Sequence, residues 1–357
     1  MDVGTTKIAV LLLDVDSGEI VAAHEAVNSS EVTDPERKAR GWSEWDADEA
    51  VDLTFGAMGD AVSRVGPEKV KGVGVTGQMH GMVLVGRDGR PVSRFIGWRD
   101  QRCNEKVSGT RVSYIERMVE LAGDQGFSRE GCYPATGFMG SSLFWLKENR
   151  ALPREPATAC FLPDYLVMRL TGVGPVTDPS DAGGSGIYDV VSREWDGGLV
   201  ERLGLRSEML PEVRKPGELI GGLTAEAAAK TGLQEGTPVC VACGDNQASF
   251  LGSVADRRDA ALINIGTGGQ ISLWVPGFQA VEGVDTRCYV DESYLLVGAA
   301  LCGGSSYSLL NKFFMGVGRA FFEAKDDGEL YDGMNLLASE VPVGSDGLVC
   351  EPFFTGT

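Results

Sequence analysis

The start of this chain is matched by a segment far downstream, and that match constrains the fold more than any other feature. Asp2-Val3-Gly4-Thr5-Thr6-Lys7-Ile8-Ala9-Val10 and Asn264-Ile265-Gly266-Thr267-Gly268-Gly269-Gln270-Ile271-Ser272 share one form. Each has a polar residue, an apolar residue, Gly-Thr, and then a strand. Around each, the pattern reads strand, glycine turn, strand. Repetition at this distance is a domain-scale repeat, not a solenoid. It predicts two related α/β domains, each presenting a β-hairpin with a Gly-Thr turn.

The intervening sequence fits such domains. VGTTKIAVLLLDVDSGEIVAAHE predicts two strands joined at Asp16-Ser17-Gly18-Glu19. Asp46 is placed to cap a helix and Glu49 to complete a capping box. Val51, Phe55, Met58, Val62 and Val65 then recur at helical spacing. Strands are expected at 71–76 and 82–86, on either side of TGQMHG. Helices are expected at 111–122, 141–149 and 162–171. Residues 171–198, rich in Gly, Asp and Ser, read as loop with short strands. Thr224 can cap and Gly232 can end a further helix. The strand VCVAC runs into Gly244-Asp245, and a helix at 246–254 is expected to follow.

Charge limits the partners. Lys plus Arg number 32 against 51 Asp plus Glu, a formal net charge of −19 at pH 7. That argues against nucleic acid or an anionic membrane as a partner. A phosphorylated ligand stays open, because backbone N–H groups and a metal can hold phosphate in an acidic protein. With 43% hydrophobic and 23% charged residues, the composition is that of a soluble globular protein. No run is long and apolar enough to span a membrane, and no basic-then-apolar leader opens the chain. A cytoplasmic location is expected. The eight cysteines are scattered, and their one C-x-x-C, Cys240 and Cys243, lies in an apparent strand. Without a second pair it reads as small apolar residues rather than a zinc site.

Gly-Thr turns let successive backbone N–H groups converge on one spot, an anion nest. Two such turns in two half-chains suit a polyphosphate held across a cleft. Phosphoryl transfer also needs a metal held and a carboxylate to orient the acceptor hydroxyl. Asp2 is placed to reach the metal. Asp245 follows a strand and precedes a helix, which exposes it at a strand's carboxyl end; the alternative is that it merely caps that helix. A formal G-x-G-x-x-G at Gly72, Gly74 and Gly77 lies within a strand and precedes another strand, so a dinucleotide site is not expected. His80, one of only two histidines, sits in a link whose glycines allow close approach of backbone to a ligand.

Together these motifs resemble the FGGY carbohydrate kinases, ATP-dependent sugar kinases of the actin/hexokinase/Hsp70 superfamily. The matching segments are DVGTTK, GWSEWDAD, GVTGQMHG, GWRDQR, LPDYLVMRLTG, TDPSDAGG, GDNQASFLG, INIGTGGQ and LLVGAALCGG, in family order along the chain. The resemblance implies two ribonuclease-H-like α/β domains around a cleft. An N-terminal domain would cover 1–250 and a partial C-terminal domain 251–357, since the family continues beyond EPFFTGT. Open apolar surface is therefore expected in this short form.

The resemblance also implies roles. Asp245 matches the catalytic base, and Asp2 with Asp245 the acids around Mg²⁺. Thr5, Thr6 and Lys7 match one phosphate loop, and Gly266, Thr267 and Gly268 the other. Gly303 and Gly304 match a glycine segment near the nucleotide. Gln78, Met79, His80, Trp98, Arg99 and Asn246 match the sugar side. Arg99 is equally readable as an ion-pair partner of Asp100 or another acid. The implied cosubstrate is ATP, and the implied partners are a small-molecule ketose and a second copy of the chain in a homodimer. QMHG and GDN are similar to D-xylulose kinases. YVDESYLLVGAALCGGSSYSLL and GTGGQIS are closer to sedoheptulose kinases, which sets sedoheptulose ahead. A nucleotide-switched actin-like scaffold and an inactive sugar-binding remnant are the readings from other classes.

Overall fold

The computed structural model describes residues 1–123, 126–266, 268–323 and 330–350. Alternating apolar residues in KIAVLLL build the strand Lys7–Leu13, which pairs antiparallel with Asp2–Val3 on one side and Ile20–Val27 on the other. Asp2–Val3 pairs parallel with Thr76–Gly77, which pairs parallel with Cys243–Gly244. The register aligns Asp2, Thr76 and Cys243 across the sheet. The residues that follow these three strands therefore emerge together at their carboxyl ends, where open α/β sheets bind ligands.

Helix Ala47–Val62 covers this sheet, capped by Asp46, whose carboxylate accepts from the Glu49 N–H at 3.1 Å. Its Val51, Phe55, Met58 and Val62 join Val3, Ile8, Val10, Tyr165 and Leu166 in one core. Val65 falls beyond the helix end. A complete capping box forms elsewhere, between Ser113 and Glu116 at the start of helix Tyr114–Ala122. Helices Met139–Glu148, Leu162–Thr171 and Ala225–Thr231 occupy the predicted places, the last capped by Thr224 and ended by Gly232 in the left-handed region.

The expected strand at 71–76 is shorter than its sequence implies. Val73 makes an isolated bridge to Val239, and regular pairing begins only at Thr76. Glycines at 72 and 74 supply no side chains to pack, which weakens a strand. Cys240 and Cys243 are free thiols, both partly buried and on separate strands. No described helix is long and apolar enough to cross a membrane.

The second sheet is wholly antiparallel, in the order Ala261–Ile265, Gly268–Val275, Tyr294–Cys302, Asp285–Cys288. Its first two strands form the predicted second hairpin. Phe250, Tyr289, Leu295 and Val297 form a small core that joins this sheet to the helix Asp245–Ser253.

Candidate active site

The first hairpin turn is closed by the Gly4 N–H donating to the Lys7 carbonyl at 3.0 Å. Thr5 sits at its tip. Its hydroxyl donates to Gln78 Oε1 at 3.2 Å and accepts from Trp98 Nε1 at 2.9 Å. One residue of the predicted phosphate turn thus connects two residues predicted for the sugar side. Thr6 is exposed, and its carbonyl accepts from the Asn28 N–H at 3.0 Å. Lys7 is also exposed and pairs with Glu25 at 2.8 Å, away from the cleft.

In the second hairpin, the Gly266 N–H donates to the Gly268 carbonyl at 2.9 Å, and the Gly266 carbonyl accepts from the Gly304 N–H at 2.8 Å. Thr267 lies outside the described residues. A Cβ on Gly303 would stand 2.4 Å from the Gly268 oxygen, so only glycine admits this contact. Gly304 opens the 19-residue helix Gly304–Phe322. The four predicted glycines therefore converge on a helix N-terminus, an end that favours an anion, although the Gly266, Gly304 and Ser306 N–H groups are already bonded to the Gly268, Gly266 and Gly303 carbonyls.

Asp245 is the first residue of helix Asp245–Ser253, not its cap. The cap position is Gly244, and no side chain caps this helix. Its carboxyl lines the cleft while interacting with the backbone N–H groups of Asn246 and of Asp245 itself. Burial, followed by the neighbouring Asp2 carboxylate, raises Asp245 to about 7. Burial also raises Asp2, whose Oδ1 is enclosed without a hydrogen-bond partner. Two carboxyls close enough to influence one another, one with an orphaned oxygen, fit Mg²⁺, which takes one or two carboxylates and fills its shell with water and phosphate, although only Asp245 lines the cleft itself. Among the described residues no cluster of three or more acidic, His or Cys side chains could form a closed metal cage.

A polar segment braces Asp245 from behind. The Asp178 carboxylate accepts from the Ser180 and Asp181 N–H groups at 3.0 and 3.1 Å and from the Ser180 hydroxyl at 2.7 Å. The Ser180 oxygen in turn accepts from the Gly244 N–H at 2.8 Å. Gln247 Nε2 donates to the Cys288 carbonyl at 2.9 Å, which ties the helix to the second sheet. Ser272 donates to Asn246 Oδ1 at 3.0 Å, leaving Asn246 Nδ2 buried and unpartnered.

His80 has φ +74°, a region few non-glycine residues adopt and one that often marks a functional constraint. Its ring stacks on Phe138 at 4.3 Å, and Nδ1 lies 2.7 Å from the Gly184 carbonyl. Burial, reinforced by Arg287, lowers its pKa to about 3. The ring is neutral at physiological pH.

These elements enclose a cleft of about 370 Å³. Thr5, Met79, His80, Trp98, Asp245 and Asn246 line it together with Asn264, Gly266, Gly268, Gln270 and Arg287. Arg99 is not among the lining residues; it is exposed, with its guanidinium 4.9 Å from the Trp98 ring. Gln78 lies just behind the wall, buried, with Nε2 unpartnered. A larger groove of about 890 Å³ runs past Arg87, Arg90, Glu208 and Glu226, but none of the predicted site residues lines it.

Sequence reasoning missed Asn264, Gln270 and above all Arg287. The available signal was Asp285-Thr286-Arg287 before an apolar run: opposite charges two apart on a strand share one face. Phe138, which stacks on the His80 ring, carried no signal, and Gly184 lay in the TDPSDAGG segment without pointing to the histidine.

Comparison with known proteins agrees with this geometry. Xylulose kinase of Escherichia coli (strain K12) is 30% identical over 282 residues, covering 78% of this chain and 54% of that protein. Sedoheptulokinase of Mus musculus is 29% identical over 333 residues, covering 85% and 66%. The chain thus spans about half to two-thirds of the length of these relatives. The crystal structure of xylulose kinase from Rhodospirillum rubrum superposes with a TM-score of 0.84 at 26% identity, over 99% of this chain and 69% of that one. The fold is accordingly the actin/hexokinase-like α/β fold of the sugar kinases. Residues 1–252 match the N-terminal domain of one such group, and with that match covering most of its length the chain belongs to the FGGY family of carbohydrate kinases.

Proposed function

We propose that this chain transfers the γ-phosphoryl group of ATP to the terminal primary hydroxyl of a ketose. One observation carries the reading: Asp245 begins a helix at a sheet's carboxyl edge with its carboxyl uncapped, in a cleft lined by Thr5 of one glycine hairpin and by Gly266 and Gly268 of the other. The cleft's remaining groups suit a polyol, with donors at Asn246 Nδ2 and Arg287 and acceptors at His80 and Asp245. Trp98 offers an apolar ring face at the rim.

The mechanism follows from these positions. The two turns and the N-terminus of helix Gly304–Phe322 hold the polyphosphate through the backbone N–H groups that the bonds made by Gly4, Gly266 and Gly304 leave open. Asp245 accepts a hydrogen bond from the terminal hydroxyl and takes its proton as the oxygen attacks the γ-phosphorus in line, while the bond from that phosphorus to the β–γ bridging oxygen breaks and ADP leaves. In a loose transition state, orientation matters more than basicity. Mg²⁺, held by Asp2 and Asp245, would supply charge neutralisation of the phosphates. The braced strand end at Gly244 fixes Asp245 without contacting substrate.

Sedoheptulose, giving sedoheptulose 7-phosphate, is the preferred acceptor, supported by the YLLVGAALCGG segment and the mouse relative. D-Xylulose is the second reading, supported by the named xylulose kinases and the QMHG segment. ADP release from MgATP across a panel of ketoses tests the proposal. Sugar-stimulated release is expected. Sugar-independent release would instead place the chain with nucleotide-switched scaffolds, and sugar binding without release would make it a binding remnant.

A further inference from the structure

We propose that Arg287 is a specificity-determining residue that, with His80, grips one hydroxyl of the acceptor and rejects a carbonyl or carboxylate at the same place. This rests on the sugar-kinase reading above. Arg287 is 5% exposed on the strand Asp285–Cys288 and lines the cleft. Its Nη2 donates to Asp285 at 2.6 Å, which anchors the guanidinium. Its Nη1 lies 3.5 Å from His80 Nε2.

The tautomer of His80 follows from its partners. A carbonyl can only accept, so the 2.7 Å contact with Gly184 places the proton on Nδ1. A second proton on Nε2 would point at the Arg287 cation. Nε2 is therefore a lone pair, and the ring cannot turn to hide it. Phe138 stacks nearly parallel, at 7°, and a Cβ on Gly184 would stand 2.9 Å from Nδ1, so the ring is seated closely.

The cleft wall thus presents a charged N–H donor beside a neutral nitrogen acceptor. At 3.5 Å their own contact is long for a hydrogen bond. A hydroxyl satisfies both, accepting from Nη1 and donating to Nε2. A carbonyl or carboxylate satisfies Nη1 but sets its lone pairs against Nε2. The discrimination needs the fork of an arginine, because one arm must stay on Asp285 while the other meets the ligand.

Calorimetric binding of D-xylulose, sedoheptulose and their monodeoxy analogues to wild type, Arg287→Lys and Arg287→Met tests this, with ADP release from MgATP and circular-dichroism melts on the same samples. In wild type, one deoxy analogue should bind about 10- to 100-fold more weakly than its parent, since two buried groups lose their partner. In Arg287→Met that penalty should fall below about threefold, while the penalties at other hydroxyls persist. Arg287→Lys should fall between. An undiminished penalty in folded Arg287→Met overturns the proposal; if that variant does not fold, an undiminished penalty in Arg287→Lys does so. A wild-type chain that binds no ketose also overturns it. The predicted deoxy pattern without ADP release upholds the role of Arg287 and sinks phosphoryl transfer. Sugar-stimulated release with no change in pattern does the reverse.

Discussion

Residues 176–190 and the helix Gly304–Phe322 reverse the usual relation between composition and burial. The first, VTDPSDAGGSGIYDV, is polar and glycine-rich, yet every residue in it is buried. The second is rich in Leu and Phe, yet among its described side chains only Asn311 is buried, and Phe321 is 77% exposed. The following helix Tyr331–Ser339 buries no residue. Ile263 and Ile265 of the second sheet are exposed as well. The contrast shows that burial depends on what a segment's neighbours supply. In the polar segment Asp178 holds the Ser180 and Asp181 N–H groups and Ser180 holds the Gly244 N–H before Asp245, while both Asp181 carboxyl oxygens are enclosed without a partner. The apolar helix stays open because, among the described residues, little packs on its outer face.

If the packed region holds the chemistry, Asp245→Asn should lower turnover about 10³-fold while sugar affinity measured by calorimetry stays within about threefold. Near-normal ADP release would remove Asp245 from its role. The contrast in packing can be measured next. Phe144, fully buried, should cost about 3–5 kcal/mol when changed to Ala. Phe321→Ala should cost no more than about 0.5 kcal/mol by denaturant unfolding. A comparable loss at Phe321 would mean that its face is covered in solution.

His80→Ala should raise the Michaelis constant for ketose about 10- to 100-fold with turnover at saturating sugar largely kept. Collapse of turnover at an unchanged Michaelis constant would return the proton to histidine. The smallest effect expected is one of pH on stability. Burial raises Asp178 to about 6, Glu130 and Asp245 to about 7, and Asp181 well above the usual carboxyl range. A raised carboxyl favours the fold while protonated, and that contribution is lost as pH rises through the folded value. The melting temperature should therefore decline from about pH 4, where the unfolded carboxyls lose their protons, to about pH 7, where the folded ones do, with Asp181 extending the fall beyond. Below about 6.5 the buried neutral His80 acts in the opposite sense, since the unfolded chain gains its proton there. Asp181→Asn, fixed in the neutral form, should flatten the decline; an equally steep fall would show that Asp181 is not held protonated.

Much of this was legible in the sequence because it is local. The Gly-Thr hairpins and the helix caps at Asp46 and Thr224 need only neighbouring residues to form. So does the placement of Asp245 at a strand-to-helix junction. Even there the structure corrected a detail, since Asp245 is the first helical residue and Gly244 takes the cap position. The burial of residues 176–190 was not legible, because composition reports an average preference and not the hydrogen bonds that satisfy a particular Asp or Ser.

The chain by itself determined two glycine hairpins, the helix caps and an acid at a strand-to-helix junction, since periodicity and turn chemistry act over a few residues. Only the tertiary structure decided which groups face one another. It placed Arg287 against His80 across 207 residues of chain. It fixed the histidine tautomer through Gly184, and it moved Lys7 and Arg99 out of the cleft wall. Those outcomes depend on where separate sheets come to rest, and no local pattern in the sequence encodes that distance.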